Sequence, residues 1–410
     1  MRLAFVDLVF SWPPLGGAPA DLFYTIDGLQ RLGHDVHLFY VTDPERDDHG
    51  SLDHSEFPFD ATRLDYTEDE YTPARVPREI RAAVDKWAPD VVFVCFGFFI
   101  KPFVAEALAD YPTISRYYAY EPACPRDIRI YKNAATCPKN YLDTPDECRR
   151  CTLSFLSAEI RRFHPLGYAR EYLETKAYST AYYRSMLDSI KSFDAIIVYN
   201  EIAKVHFAGH HDNVKVIGGG VRLEDFAFSP VPERAAGEKK IILMTGRTED
   251  PSKGMKVMRA AGEELWKSRD DFEMWFTQSG DEYREPWVKN IGWHDHTGIV
   301  DLYTEADICV APSIWEEPFG LVAVEAMAAG RPVCVARVGG LQAIPVHGKS
   351  GFVYDRHDSG ALAAHLGELL DNGERRREMG KVARKRVEEK FSWEKVIEQN
   401  YPALLESVLS

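Results

Sequence analysis

The sequence predicts an α/β chain of two doubly wound domains, each a parallel sheet covered by helices on both faces. Three observations carry that expectation. Apolar strand-like runs alternate with segments of helical period in two separate series, the pattern of parallel sheets with helical crossovers. The 410 residues, 45% hydrophobic and 28% charged, are too many for one ordinary core and suit two. Between the two series lies Phe228 to Lys239, rich in Pro, Ala, Gly and charge, which is linker chemistry.

The first series opens with a strand from Leu3 to Phe10, the glycine pair Gly16-Gly17, and a helix from about Ala20 to Leu32 that ends at Gly33. Adjacent glycines let a ligand approach the backbone closely, and an ordinary turn would use them equally well. The spacing lacks G-x-G-x-x-G, which disfavours a dinucleotide-binding dehydrogenase. A second strand runs from Val36 to Val41, and the acidic, apolar-poor stretch from Thr42 to Thr72 is expected to be an exposed excursion. A helix near Arg78 to Trp87 and strands over Val91 to Phe96 and Thr113 to Tyr120 follow.

Between Glu121 and Lys176 the alternation stops, and Cys124, Cys137, Cys148 and Cys151 fall within 28 residues. The last two form a C-x-x-C. Four thiolates could close a tetrahedral structural zinc site, folding a segment too small for a core of its own. The gaps before that pair match no strict finger pattern, so unliganded or disulfide-forming thiols and an iron–sulfur cluster stay open beside zinc. From Ile114 to Phe193, 13 Lys/Arg stand against 9 Asp/Glu, a surplus that suits an anionic acceptor or a membrane surface, or equally a set of solvated helix faces. Ala195 to Tyr199, a helix near Glu201, and Val214 to Ile217 running into Gly218-Gly219-Gly220 close the series. The domains are thus expected at 1–220, with the cysteine insert at about 121–176, and at 221–392. The final 393–410 has the period of an amphipathic helix and is expected to pack back on the first domain.

The second series begins with strands over Ile241 to Thr245, Phe272 to Thr277 and Val288 to Ile291, with a helix over Gly254 to Trp266. The apolar run Ala306 to Pro312 is read as a buried parallel strand. Pro318-Phe319-Gly320 then opens a helix in which Leu321, Val324, Met327 and Ala328 recur at helical spacing. The first amides of such a helix have no internal partner and sit at the positive end of its dipole, so an anionic or hydroxyl-rich ligand is well received. Glu317 stands at the mouth of that turn and Glu325 about two turns on. Carboxylates accept sugar and ribose hydroxyls, although a helix cap and a solvated face residue would look the same. Val333 to Ala336, a strand near Phe352 and further helices complete the domain.

A net charge of −15 argues against a general nucleic-acid binder, which needs a basic surface to neutralise phosphates. No apolar run approaches the roughly 18 residues that would cross a bilayer. Met1-Arg2-Leu3 leads straight into a strand rather than a signal peptide. A cytoplasmic location is expected, with peripheral contact at the inner membrane face left open. Cys95, Cys309 and Cys334 lie in apolar strand-like runs and are expected in the cores.

Taken in order, Gly16-Gly17, the Gly246-Arg247 and Lys253-Gly254 of TGRTEDPSKG, and Glu317 and Glu325 with Pro318-Phe319-Gly320 between them carry a resemblance, continued by Gly339-Gly340 and Gly348-Lys349-Ser350-Gly351-Phe352. The chain resembles, over nearly its whole length, the GT-B-fold retaining glycosyltransferases of glycosyltransferase family 4, the large mannosyl-, glucosyl- and N-acetylglucosaminyltransferase group. The resemblance implies two Rossmann-like domains facing a central cleft. It implies transfer, with retention, of a hexose or N-acetylhexosamine from a nucleotide-diphosphate sugar to an acceptor sugar, lipid-linked sugar or small molecule. By it, Arg247 and Lys253 hold the donor diphosphate and Glu317 a donor-sugar hydroxyl. The amides from Phe319 to Leu321 take the sugar and phosphates, Glu325 takes the ribose, and the base lies near Ile291-Gly292-Trp293. A leaving diphosphate gathers negative charge, which preorganised cations and amides stabilise, so no metal or other cofactor is expected for catalysis.

Two positions depart from the family pattern. Tyr118-Ala119-Tyr120-Glu121-Pro122 stands where many relatives read Tyr-x-His-x-Pro, so Tyr120 occupies the place of a histidine that faces the donor sugar, with Glu121 beside it. A phenol can hydrogen-bond a sugar hydroxyl but does not titrate near neutrality. Ala343 stands where a glutamate commonly follows the Gly-Gly pair. Two other classes share the fold: a catalytically silent subunit that binds or regulates a partner, and a related phosphorylase or sugar-nucleotide epimerase. Tyr120 speaks for the silent subunit, and the intact Arg247, Lys253, Glu317 and Glu325 speak against it.

Overall fold

The structure, a computed structural model, describes residues 1–12, 14, 16–42, 57–126, 128–161, 167–277, 283–294 and 296–409. Contacts divide it into two compact units. The first comprises Met1–Ile130, Cys137–Ile217 and Ile397–Ser410, and the second comprises Tyr131–Thr136 and Gly218–Val396.

The strands of the first half are β1 (Arg2–Asp7), β2 (Asp35–Thr42), β3 (Asp60–Asp65), β4 (Val91–Val94), β5 (Thr113–Arg116), β6 (Tyr131–Lys132), β7 (Ala135–Thr136), β8 (Ala195–Val198) and β9 (Val214–Val216). Among the described residues seven of them form one parallel sheet in the order β3-β2-β1-β4-β5-β8-β9. The inner strands β4, β5 and β8 are buried at every position, as expected where helices cover both faces. The order reverses between β1 and β4. There Asp7, ending β1, accepts the amides of Val9 and of Phe96, each at 2.9 Å, and ties the two strand ends together.

Helices α1 (Gly17–Arg31), α2 (Val76–Trp87), α3 (Lys101–Ala107), α4 (Pro145–Arg161), α5 (Gly167–Glu174), α6 (Thr180–Ser192) and α7 (Glu201–Val205) accompany this sheet. Leu22, Ile26 and Leu29 of α1 face inward at helical spacing. A Cβ on Gly28 would stand 2.7 Å from Ile397 Cγ1, so the C-terminal helix (Trp393–Leu409) lies directly on α1 in this unit. Its Tyr401 ring is 6.4 Å from that of Phe93.

The structure differs from expectation in three places here. The acidic excursion contains β3, paired in parallel with β2 from His37↔Asp60 to Thr42↔Asp65; residues 43–56 of the excursion lie outside the described residues. As an edge strand, β3 is covered on one side and keeps its charges outward, which is why it lacks an apolar signature. The strand expected to reach Tyr120 stops at Arg116. The segment after β4 turns into α3, too short to show a helical period.

Within α5, Glu171 is 9% exposed and accepts the amide of Ile100 at 2.9 Å. Burial pushes its carboxyl up to about 7; the amides of Ile100 and Phe99 pull it down, and Glu174 pushes it further up. A folded-state value above the unfolded one means that the associated stability is complete below about 4.5 and is lost as pH rises through about 7. Glu171→Gln keeps an acceptor carbonyl and cannot ionise. It is expected to raise Tm at about pH 8 and to flatten the fall in Tm between about pH 5 and pH 8. Thermal melts at the two pH values check this, and an unchanged slope would refute the argument from burial.

In the second unit β10 (Lys240–Met244), β11 (Phe272–Phe276), β12 (Val288–Asn290), β13 (Ile308–Ala311), β14 (Val333–Ala336) and β15 (Gly351–Tyr354) form a parallel sheet in the order β12-β11-β10-β13-β14-β15. Helices α8 (Met255–Trp266), α9 (His296–Glu305), α10 (Leu321–Ala328), α11 (Ser359–Asp371) and α12 (Gly373–Lys390) belong to it. The stretch expected as a linker lies inside this unit and is bonded to it. Ser229 accepts from the buried Arg331 through its hydroxyl oxygen at 2.7 Å, and Arg234 donates to the fully buried Asp307 at 2.9 Å. Its Pro, Gly and charge fit a tethered surface crossing as well as a free one.

Hairpin β6–β7 also groups with the second unit. Its two turn residues, Asn133 and Ala134, have φ of 54° and 61°, the paired positive values of a tight two-residue turn.

Candidate active site

The candidate donor residues gather where the second sheet reverses its strand order, beyond the carboxyl ends of β10 and β13. Open α/β sheets bind ligands at such points. From β10 the chain turns through Gly246 at a φ of 94°, whose carbonyl accepts the Thr277 hydroxyl at 2.9 Å. Arg247 follows, exposed, and its guanidinium meets no partner among the described residues. Asp250 caps the next turn, Pro251–Lys253, by accepting the Ser252 amide at 2.9 Å and hydroxyl at 2.7 Å. A Cβ on Gly254, at φ 84°, would stand 1.9 Å from the carbonyl oxygen of Pro312, so glycine is required for this turn to lie on the loop after β13. That close approach brings Lys253 to Glu317. The ammonium donates to both carboxylate oxygens, at 2.9 and 3.0 Å, and the Ser313 hydroxyl donates to one of them at 2.8 Å.

The loop carrying Glu317 is fixed from behind. A Cβ on Gly339 would come within 2.0 Å of the Glu317 carbonyl oxygen, and one on Gly340 within 2.3 Å of that of Pro318. The Gly-Gly pair is therefore the surface on which this backbone rests, and the Gly340 amide donates to the Glu317 carbonyl at 2.7 Å. Glu316, to which the sequence assigns nothing, is 5% exposed and accepts three donors: the Gly339 amide at 2.5 Å, the Thr136 hydroxyl and the Arg356 guanidinium. Arg356 also donates to the Thr136 hydroxyl oxygen at 2.9 Å, and His357 Nε2 lies 3.1 Å from the Ala134 carbonyl oxygen. Of two neighbouring glutamates, Glu316 anchors the loop and Glu317 stands at its mouth.

Pro318 and Phe319 lead into Gly320, which caps α10 at a φ of 117°; a Cβ there would stand 2.6 Å from Leu341 Cδ1. The amides of Gly320 and Leu321 donate to no group among the described residues and remain open to an anion. On α10, Glu325 is nearly buried and accepts the Tyr303 hydroxyl at 2.9 Å, and that hydroxyl lies 2.9 Å from Thr245 Oγ1. Burial first, then the Glu325 charge, hold the Tyr303 phenol far above its ordinary range, so it stays a neutral donor aiming the carboxylate. No motif marks Tyr303 in the sequence. Gly292, at φ 79°, and Trp293 follow the edge strand β12, and Trp293 is 55% exposed, an open flat face for a planar ring.

In the first unit Gly16 and Gly17 start α1 beyond the carboxyl end of β1, and among the described residues a Cβ on either would meet nothing within 4 Å. Tyr120 is turned into the core, 2% exposed, where Asn200 Nδ2 lies 3.5 Å from its hydroxyl and the His206 ring packs edge-on. A large ring with an internal polar partner is accommodated in the interior, so the described geometry does not present it to a substrate. Glu121 accepts the amides of Tyr118 at 3.3 Å and Ala119 at 3.2 Å. Beside it lies Lys101, buried, which the sequence reading passed over; a lysine within the aromatic run Phe96 to Phe103 was the available signal.

Cys124, Cys137, Cys148 and Cys151, the expected zinc ligands, all lie among the described residues. Among the described residues no group of three or more His, Cys, Asp or Glu is placed to hold a metal ion, and none of Cys124, Cys137, Cys148 and Cys151 is in a disulfide. Cys124 and Cys148 instead pack against the first unit's core. Burial pushes the Cys148 thiol up, with Cys137 and Cys151 adding to the rise and the Thr144 hydroxyl, 3.7 Å away, opposing it. Tyr141, Leu142, Leu156, Ala169 and Tyr172 of the insert also belong to that core.

Comparison with known proteins bears on the fold. Residues 225–386 match the family described as Glycosyl transferases group 1. The chain is 31% identical over 242 residues to spore coat protein SA of Bacillus subtilis, covering 52% of this chain and 64% of that protein. It is likewise 31% identical over 215 residues to the D-inositol 3-phosphate glycosyltransferase of Corynebacterium glutamicum, covering 46% and 50%. It thus spans between half and two thirds of the length of these relatives. Among solved structures it is similar to sucrose-phosphate synthase from Thermosynechococcus elongatus, with a TM-score of 0.71 over 99% of both chains at 20% identity. The chain therefore has the fold of the GT-B glycosyltransferases, and residues 225–386, which match the Glycosyl transferases group 1 family, lie in the second unit.

Proposed function

We propose that this chain is a retaining glycosyltransferase that moves a hexose or N-acetylhexosamine from a nucleotide-diphosphate sugar to a hydroxyl acceptor. The observation that supports the reading best is the meeting, at one strand-order reversal, of an unpartnered Arg247, the Lys253–Glu317 pair and two open amides at the start of α10. The bond from the anomeric carbon to the diphosphate oxygen breaks with its electron pair going to the diphosphate, the acceptor hydroxyl oxygen bonds to that carbon on the same face, and the departing diphosphate takes the hydroxyl proton. Arg247, Lys253 and the α10 amides meet the charge that develops. The incoming diphosphate competes with Glu317 for Lys253, and so frees a carboxylate oxygen for a donor-sugar hydroxyl. Glu325, aimed by Tyr303, takes the ribose, and Trp293 covers the base.

A thermal-shift screen of the full chain against UDP-, GDP- and ADP-sugars tests this. A donor at 100 times its dissociation constant adds about 2.7 kcal/mol of stability. Absence of a shift with every nucleotide sugar, together with absence of donor hydrolysis, would overturn the proposal.

A further inference from the structure

The second unit buries an arginine completely. Arg331, three residues beyond α10, is 0% exposed, and among the described residues no carboxylate pairs with it. Its Nη1 meets no partner among them either. A charge held this way is costly, and burial pulls the guanidinium below its ordinary value. What offsets that cost is the set of bonds it does make. Its Nε donates to the Tyr303 carbonyl at 2.6 Å, and its Nη2 donates to the Ser229 carbonyl at 3.1 Å and hydroxyl oxygen at 2.7 Å. The Tyr303 carbonyl lies in the last turn of α9, where helical donors run out. The amide that would close its turn, that of Asp307, donates instead to the Ile241 carbonyl at 2.9 Å. Arg331 supplies the missing donor, and its charge lies at the negative end of the helix dipole. Tyr303 is therefore held at both ends, its carbonyl by Arg331 and its hydroxyl against Thr245 and Glu325.

We propose that Arg331 is a positioning residue for nucleotide binding, acting through Tyr303 on the direction of the Glu325 carboxylate. The inference rests on the proposed assignment of Glu325 to the donor ribose. Glu325 and Arg331 belong to α10 and its exit, where the Arg331 amide donates to the Ala326 carbonyl at 2.9 Å, whereas Tyr303 belongs to α9. The two elements are thus tied twice, through the hydroxyl of Tyr303 and through its carbonyl. Two ties fix a direction where one would leave a pivot. Without the guanidinium the end of α9 can turn about the hydroxyl contact, and the carboxylate loses its aim while keeping its charge. A planar guanidinium reaches the Tyr303 and Ser229 acceptors from two nitrogens at once, which a single ammonium does not reproduce. The backbone is shaped for that reach: a Cβ on Gly330, at φ 84°, would stand 2.8 Å from the Ser229 carbonyl oxygen.

Calorimetric titration of the full chain with UDP, GDP and ADP, and with their dideoxyribose counterparts, tests the proposal. Arg331→Met keeps most of the side chain's length and removes its donors. It should weaken the best-bound ribose ligand about tenfold and the matching dideoxyribose ligand less than about twofold, since the latter offers Glu325 no hydroxyl. In a Tyr303→Phe background the same substitution should weaken binding less than about twofold further, whereas independent contributions would multiply. KM for the nucleotide sugar should rise by the same factor as the dissociation constant with kcat little changed, the signature of lost uniform binding. Should thermal melts show Arg331→Met unfolded, Ser229→Ala removes one acceptor from the same guanidinium at a partly exposed position. It should give the same selectivity for ribose at about threefold. Equal losses for ribose and dideoxyribose ligands, or multiplied losses in the double variant, would overturn the proposal. A wild type that binds no nucleoside diphosphate would overturn the donor reading and this inference with it. Nucleotide binding that the variants leave unchanged would overturn this inference alone.

Discussion

Arg247→Ala and Lys253→Ala are each expected to lower turnover about 10²–10³-fold, the usual cost of removing one preorganised donor from a site of developing charge. The two variants should differ in stability. Arg247 is exposed and has no partner among the described residues, so its loss should leave Tm where it was. Lys253 holds Glu317, which is only 15% exposed, and its removal leaves that carboxylate with Ser313 alone. A modest fall in Tm is expected there, of the order of the ~1–3 kcal/mol attached to a partly buried charge that loses its partner. Steady-state kinetics with the best donor, run beside thermal melts, separate the two effects. Turnover within threefold of wild type in both variants would end the assignment of these cations to the diphosphate.

On the proposed roles, Glu325→Ala should weaken free nucleotide and nucleotide sugar by the same factor, because the ribose assigned to it is common to both. Glu317→Ala should weaken only the sugar conjugate, and should leave free nucleotide binding unchanged or slightly tighter, since Lys253 is then released to the diphosphate. Tyr303→Phe removes the donor that aims Glu325 and should reproduce the Glu325 pattern at smaller size. Each bidentate carboxylate contact to a sugar hydroxyl is of the order of 1.5–3 kcal/mol, roughly 10- to 150-fold in affinity. Calorimetric titration with a nucleoside diphosphate and the matching nucleotide sugar checks all three. An identical loss for both ligands in both glutamate variants would mean that the two roles are misassigned.

Amino-acid pattern alone conveyed the parts of this fold that are buried on both sides. β4, β8, β13 and β14 are runs of Val, Ile, Phe, Cys and Ala with no alternation, and they appear where such runs predict. It could not convey β3, whose Asp60-Ala61-Thr62-Arg63-Leu64-Asp65 is polar because one flank of an edge strand is solvated. At the site, motif spacing identified the residues that touch solvent at a strand end, such as Arg247, Lys253 and Glu317. It missed those that act from behind. Tyr303 is one tyrosine on a ten-residue helix, and its importance lies in a contact 22 residues away in sequence. Glu316 and Glu317 are chemically the same residue side by side, and only the direction of each side chain separates an anchor from a ligand group. For the four cysteines, composition suggests a metal, while among the described residues no group of three or more His, Cys, Asp or Glu is placed to hold one.

The anchoring of Glu316 makes the second unit discontinuous in sequence. Here, a fragment beginning at Gly218 would lack Tyr131–Thr136, and with it the Thr136 hydroxyl shared by Glu316 and Arg356. Glu316 and Arg356 would then have only each other and the Gly339 amide to set the loop that bears Glu317. Recombination of this chain with related ones is therefore constrained by a six-residue hairpin far from any domain junction: a chimera that swaps the first half must bring a hydroxyl to the position of Thr136, or exchange Glu316 and Arg356 together with it.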